Sequence, residues 1–130
     1  MLRVLALSMF LPVLLACGPV ETGSGVPDPD AVYRLISIDG TTVAYEATLQ
    51  FPQVDRITGQ AHCNRYSAAQ LASFPDIEIE AIAATRMACP DLANESVFFD
   101  ALQSAKQIEA TGDMLILMSP DGPEMVFQTP

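Results

Sequence analysis

The stretch from Gly59 to Cys89 constrains this chain more than any other. It opens with Gly59-Gln60-Ala61-His62-Cys63-Asn64-Arg65-Tyr66 and closes with Ala84-Thr85-Arg86-Met87-Ala88-Cys89. Within it lie the one histidine of the sequence and two of its three cysteines. If those two sulfurs pair, the ends of the stretch must meet in the fold. Whether they pair depends on the compartment, which the N-terminus addresses.

Arg3 supplies a short positive region, and Val4 to Leu15 is an apolar run broken only by Ser8 and Pro12. Such a run is too short to span a bilayer, which takes about 20 apolar residues, and has the length of an export signal. Leu14-Leu15-Ala16-Cys17 resembles the bacterial lipobox. The resemblance implies cleavage before Cys17, transfer of a diacylglycerol to its sulfur and acylation of the new N-terminus. A thiolate is the natural nucleophile for that transfer, and two or three acyl chains hold a protein stably on a membrane. The expected organisation is a signal peptide over 1–16, a lipidated Cys17 with a flexible tether over 17–31, and a folded domain over 32–130. Gly18 to Asp30 is rich in Gly, Pro, Ser and acidic residues and cannot bury a core. Extended, it reaches about 40 Å. Gly18, with no Asp after the cysteine, resembles lipoproteins sorted onward, so the periplasmic face of the outer membrane is the expected location.

Charge narrows the partners. The formal net charge is -10, with six basic residues against sixteen acidic ones. Phosphate backbones and anionic lipid need clustered Lys and Arg, so nucleic acid is not an expected partner, and membrane contact should run through the lipid anchor. Self-repulsion keeps such a domain dispersed, and a monomer is expected.

In an oxidising compartment, free thiols tend to pair. A Cys63–Cys89 disulfide is the simplest account, worth about 3.5 kcal/mol in the chain-entropy model. The alternatives are two reduced structural cysteines, a metal site on His62, Cys63 and Cys89, or a catalytic thiol served by His62. Adjacent residues on an extended chain point to opposite sides, and no fourth ligand is evident, so no metal and no cofactor are expected. A serine in a Gly-x-Ser-x-Gly setting and a second histidine are both lacking. No enzyme activity is expected.

The rest of the chain reads as mainly β. Tyr33 to Ile38 is a strand ended by Asp39-Gly40, a hairpin turn signal, with a return over Thr42 to Tyr45. Ala47 to Phe51 alternates, and Pro52 should interrupt pairing. Asp55 to Ala61 carries Gly59, where backbones should approach closely. Ser67 to Phe74 reads as an edge strand. Ile77-Glu78-Ile79-Glu80-Ala81 reads as a half-buried strand with its carboxylates in water. Asp91 to Ala105 is the one helix, with Asp91 as its cap and Phe98, Ala101, Leu102 and Ala105 on one face, widened by Val97 and Phe99. Strands at Ile108–Ala110, Met114–Met118 and Met125–Phe127 form a meander whose methionines fill core. The expected fold is mainly β (α+β), a small antiparallel, barrel-like meander with one α-helix packed against it.

Cys63-Asn64-Arg65-Tyr66, Thr85-Arg86-Met87-Ala88-Cys89-Pro90, Glu95, Phe98-Phe99, Leu102, Gly112-Asp113-x-Leu115 and Asp121-Gly122 together resemble the META (HslJ-like) domain family. The likeness covers about residues 32–128. Tyr33 stands where the family usually has Trp, and His62 where it usually has Gly. The resemblance implies the barrel-like fold with its helix, an envelope setting linked to stress, and no catalytic residues. Asn64 is expected to bond nearby backbone in a turn. Arg65, Tyr66 and Arg86 form either a buried polar network or a recognition patch, and the network is favoured because buried Arg usually pairs with a carboxylate. An envelope-anchored interaction module, with an envelope protein as its partner, is the leading functional expectation. The alternative is a small-ligand carrier with its pocket near Tyr66 and Phe99.

Overall fold

A computed structural model describes residues 25–130. The expectations placed on the signal peptide, on Cys17 and on residues 18–24 lie outside the described residues. Ten elements follow in order: β1 (Tyr33–Ile38), β2 (Thr41–Thr42), β3 (Thr48–Gln53), β4 (Arg56–Gln60), β5 (Arg65–Ala69), β6 (Ala83–Ala84), α1 (Leu92–Ser104), β7 (Gln107–Thr111), β8 (Met114–Met118) and β9 (Met125–Gln128). The strands form one antiparallel sheet in the order β6-β5-β4-β3-β1-β9-β8-β7, with β2 paired to β1.

The first hairpin follows the local sequence. β1 buries Tyr33 and Leu35 and turns Arg34 and Ile36 outward. Asp39 and Gly40 take φ of 51° and 75°, the left-handed pair that a two-residue hairpin turn requires. The return is shorter than expected, Thr41–Thr42 alone. Pro52 does not end β3. The ladder slips between Gln50↔Thr58 and Gln53↔Arg56, and the proline sits in that irregularity with no N–H demanded of it. At Gly59 the backbones approach as expected. A Cβ there would collide with the Thr48 carbonyl oxygen and the Tyr66 hydroxyl, which are themselves hydrogen-bonded at 2.6 Å.

The sequence misplaces the middle of the chain. β5 begins two residues earlier than expected and lies between β4 and β6 rather than at an edge. Its ladder stops at Gln70, whose buried amide takes over the backbone's role. Gln70 Oε1 accepts from the N–H groups of Ala72 (2.8 Å) and Glu78 (2.9 Å), and Nε2 donates to the Ala72 carbonyl at 2.6 Å. The segment 77–81 alternates as expected at Ile77 and Ile79, which are buried, and at Glu78 and Glu80, which are exposed. Ala81 is exposed too, and the segment holds only an isolated bridge, Gln70↔Ile79. A regular ladder resumes at β6, with Ser67↔Ala83 and Tyr66↔Ala84.

Consequently the sheet does not close into the expected barrel. Its ends are β6 and β7, and the segment 75–80 runs between β7 and the end of β5. On one side, Asp76 bridges Gln107, with Ile77 N–H on the Lys106 carbonyl (3.0 Å) and Ile108 N–H on that of Pro75 (2.8 Å). On the other, Glu80 N–H reaches the Ala69 carbonyl at 3.0 Å. Pro75, lacking an N–H, and the side-chain bonds of Gln70 prevent a continuous ladder there.

Helix α1 lies against the sheet through Phe98, Ala101 and Leu102, with Ala105 buried just past its end. Tyr66 of β5 meets both phenylalanines edge-on, its ring centroid 5.6 Å from Phe98 and 5.4 Å from Phe99. Val97 does not widen the apolar stripe. It is exposed, while Phe99 is half-buried. Asp91 sits at the N-cap position without making a cap hydrogen bond. At the other end of the domain, residues 25–31 are seated rather than free as a tether. Gly25 and Pro27 are buried, and Asp28 N–H donates to the Tyr33 hydroxyl at 2.9 Å.

Candidate functional site

The bend between β4 and β5 organises one end of the molecule. Ala61 N–H donates to the Asn64 carbonyl at 2.7 Å, turning the chain back so that β5 can pair with β4. Cys63, inside the bend, is joined to Cys89 by a disulfide across 26 residues, with Cα atoms 6.1 Å apart. The bond ties the bend to the arm that precedes α1. Both sulfurs are thereby committed, and among the described residues no thiolate remains for His62 to activate.

Beneath the disulfide lies a buried carboxylate that the sequence reading treated only as part of a family pattern. Glu95, on the first turn of α1, accepts from Cys63 N–H (3.0 Å), Asn64 N–H (2.9 Å) and Asn64 Nδ2 (2.7 Å). Asn64 is equally occupied on its other side. Its Oδ1 accepts from the Thr85 hydroxyl (3.0 Å) and Met87 N–H (2.7 Å). One side chain thus clamps the helix, the bend and the arm. The expected role of Asn64 as a turn residue bonding backbone is met by the Met87 contact and extended by the others. Glu95 was discoverable, because it shares a face with Phe98 and Leu102 at spacings of three and seven. A carboxylate on an apolar stripe needs a set of donors.

The arginines do not join this network. Arg65 and Arg86 are both exposed, and the only ion pair among the described residues is His62–Asp91. The expected buried Arg–carboxylate network is therefore corrected. Three N–H donors already satisfy the Glu95 oxygens, so a guanidinium would be desolvated for little return. Tyr66 is buried, its hydroxyl donates to the Thr48 carbonyl at 2.6 Å, and burial pushes its phenol well above the usual range. The Tyr66 and Phe99 rings expected at a pocket mouth pack edge-on against each other, and the open groove of about 370 Å³ that Tyr66 lines is shared with Arg65, Ser67, Ala83, Ala84 and Thr85, not with Phe99.

Beside the clamp, an open groove of about 530 Å³ is lined by Asn64, Ile82, Thr85, Arg86, Met87 and Leu92. Met87 and Leu92 are 64% and 46% exposed, an apolar pair flanking a guanidinium. Across the disulfide, the His62 ring lies tilted against Tyr45 with ring centroids 5.1 Å apart, and its Nε2 lies 3.3 Å from a carboxylate oxygen of Asp91. The bend also overturns the expectation that His62 and Cys63 diverge. A ring nitrogen of His62 and the sulfurs of Cys63 and Cys89 all lie within 4.8 Å of one another.

The bend, the clamp and the disulfide occupy the positions that carried the resemblance, and the META domain family model matches residues 29–130. The chain belongs to the META domain family. No curated protein matches it. Among solved structures, an NMR structure of a protein from Burkholderia xenovorans is similar in fold, with a TM-score of 0.61 and 20% identity over 81% of this chain and 92% of that one. A second NMR structure gives a TM-score of 0.60 and 21% identity, covering 77% and 89%. At such identities the likeness concerns fold alone.

Proposed function

We propose that this META domain protein is a non-enzymatic interaction module, held at the cell envelope by lipid on Cys17 and acting under envelope stress. The observation that carries this reading is the arm from Ala83 to Ala88. Every residue of it is exposed, its strand β6 ends the sheet with one edge open, and Arg86 within it and Arg65 beside it have no acidic partners among the described residues, in a chain of net charge -10. Unpaired guanidiniums beside an open strand edge and an apolar pair suit an acidic, extended segment of an envelope protein. Backbone pairing would supply affinity, and bidentate contacts to carboxylates would supply selectivity.

The test is photocrosslinking in intact cells from Met87, with mass-spectrometric identification, compared with an equivalent probe at Val54, which is 74% exposed on a remote turn. Met87 should capture a small set of acidic envelope proteins that Val54 does not, and the pair Arg65→Glu and Arg86→Glu should abolish capture. Equal capture from both sites, or capture indifferent to charge reversal, would refute the reading. Cys17→Ser should move the protein out of the membrane fraction.

A further inference from the structure

We propose that Cys63, Cys89 and His62 constitute a redox-gated site for a soft divalent metal ion such as Zn2+, formed when their disulfide is reduced. Three observations converge on it. A histidine nitrogen and both sulfurs already lie within 4.8 Å of one another, and all three residues are half-buried, open to both metal and reductant. Tetrahedral zinc with thiolate and imidazole ligands places its donor atoms about 3.5–3.8 Å apart, so the freed sulfurs must part by about 1.8 Å from their bonded separation while the imidazole nitrogen, within 4.8 Å of both, closes by about 1 Å at most. The third observation is the shell around the histidine. Asp91 lies 3.3 Å from Nε2 and the Tyr45 ring leans on the imidazole at a 57° tilt; with Nδ1 as the ligand atom, Asp91 would hold the ring as a carboxylate partner holds a metal-ligating histidine.

The chemistry balances. A dithiol reductant delivers two electrons and two protons, opening Cys63–Cys89 to two thiols while it becomes a disulfide itself. The metal then binds the two thiolates and neutral His62, releasing both thiol protons, and a fourth position remains for solvent or a carboxylate oxygen. Once oxidised, Cys63 and Cys89 have no thiolates to offer, so their redox state decides occupancy of this site. Glu95 is a bystander, because its oxygens are taken by the Cys63 and Asn64 donors. Those bonds would hold the bend in place while the sulfurs change partners. The site does not depend on the interaction reading.

Cobalt(II) is the probe. The full chain reduced with a non-chelating phosphine should bind one Co2+ per molecule, with a thiolate-to-metal charge-transfer band and the intense visible bands of four-coordinate cobalt. Zn2+ should displace it, and the oxidised protein should show neither band. His62→Ala should weaken binding at least tenfold, and since it leaves the disulfide intact, its folding is verified in the oxidised state. Reduced protein without a charge-transfer band, unfolded or not, would overturn the proposal. So would undiminished binding by His62→Ala, which would reduce the site to ordinary dithiol chelation.

Discussion

Replacing Glu95 by alanine should cost this domain a large part of its stability without touching its disulfide. The carboxylate accepts three N–H donors. The two on Asn64 are buried, and the Cys63 N–H is partly so. Each buried donor left without a partner costs about 1–3 kcal/mol, while the Cys63 group can recover water. The sum is about 2–6 kcal/mol, against a total of about 5–15 kcal/mol for a domain of this kind. Glu95→Gln separates charge from shape. Its amide oxygen can serve the two backbone N–H groups, but its NH2 would then face the NH2 of Asn64. Asn64 cannot flip to relieve the clash, because its Oδ1 holds Thr85 and Met87. We expect a cost of about 1–3 kcal/mol for Glu95→Gln. The assay is urea unfolding of oxidised protein followed by far-UV circular dichroism, the chain having no tryptophan. A Glu95→Ala midpoint equivalent to less than about 0.5 kcal/mol of change would refute the clamp, since that is the scale of an inconsequential surface substitution.

Leu102→Ala should lower stability by about 2–5 kcal/mol in the same assay, because Leu102 is 0% exposed between helix and sheet; an unchanged midpoint would mean the helix does not pack there. Gly59→Ala should cost about 1–3 kcal/mol and expose Tyr66 to solvent, since the added methyl collides with its hydroxyl. Ultraviolet difference spectra would detect the exposure. The raised phenol of Tyr66 sets an alkaline limit. Its folded-state pKa lies above the ordinary 10.0, so its contribution is intact below pH 10 and declines above that as the unfolded chain ionises and the folded one does not. Tyr66→Phe should flatten that decline in unfolding free energy measured across the alkaline range, and an unchanged slope would exclude the assignment.

Local signals in the sequence located the parts of the fold that depend on neighbours. The Asp39-Gly40 turn, the β7–β9 meander and the helix from Leu92 all stand within a few residues of where turn chemistry and periodicity put them. The errors fall where a distant side chain intervenes. Ser67 to Phe74 looked like an edge strand because nothing local announces that Gln70 turns inward and bonds Ala72 and Glu78. Asp91 looked like a helix cap, yet the bend brings His62 to it from 29 residues away. Of the site, the residue types were legible but not their partners. Arg65 and Arg86 looked like natural counterions because Glu95 was not recognised as already satisfied. The barrel expectation failed for a related reason: alternation at Ile77 and Ile79 reports burial, but hydrogen-bonded closure depends on Pro75 and Gln70.

The final strand, β9, lies between β8 and the opening strand, β1, and its pairing runs from Arg34↔Gln128 to Ile38↔Met125. A growing polypeptide therefore carries Tyr33 to Ile38 with one flank bare until Met125–Gln128 has been made. Until that insertion the regular ladder stays in two halves, one built on β3–β5 and one on β7–β8, linked only by the irregular contacts of segment 75–80. Removing Met125–Gln128 should thus open the sheet at its middle, not fray it at an edge.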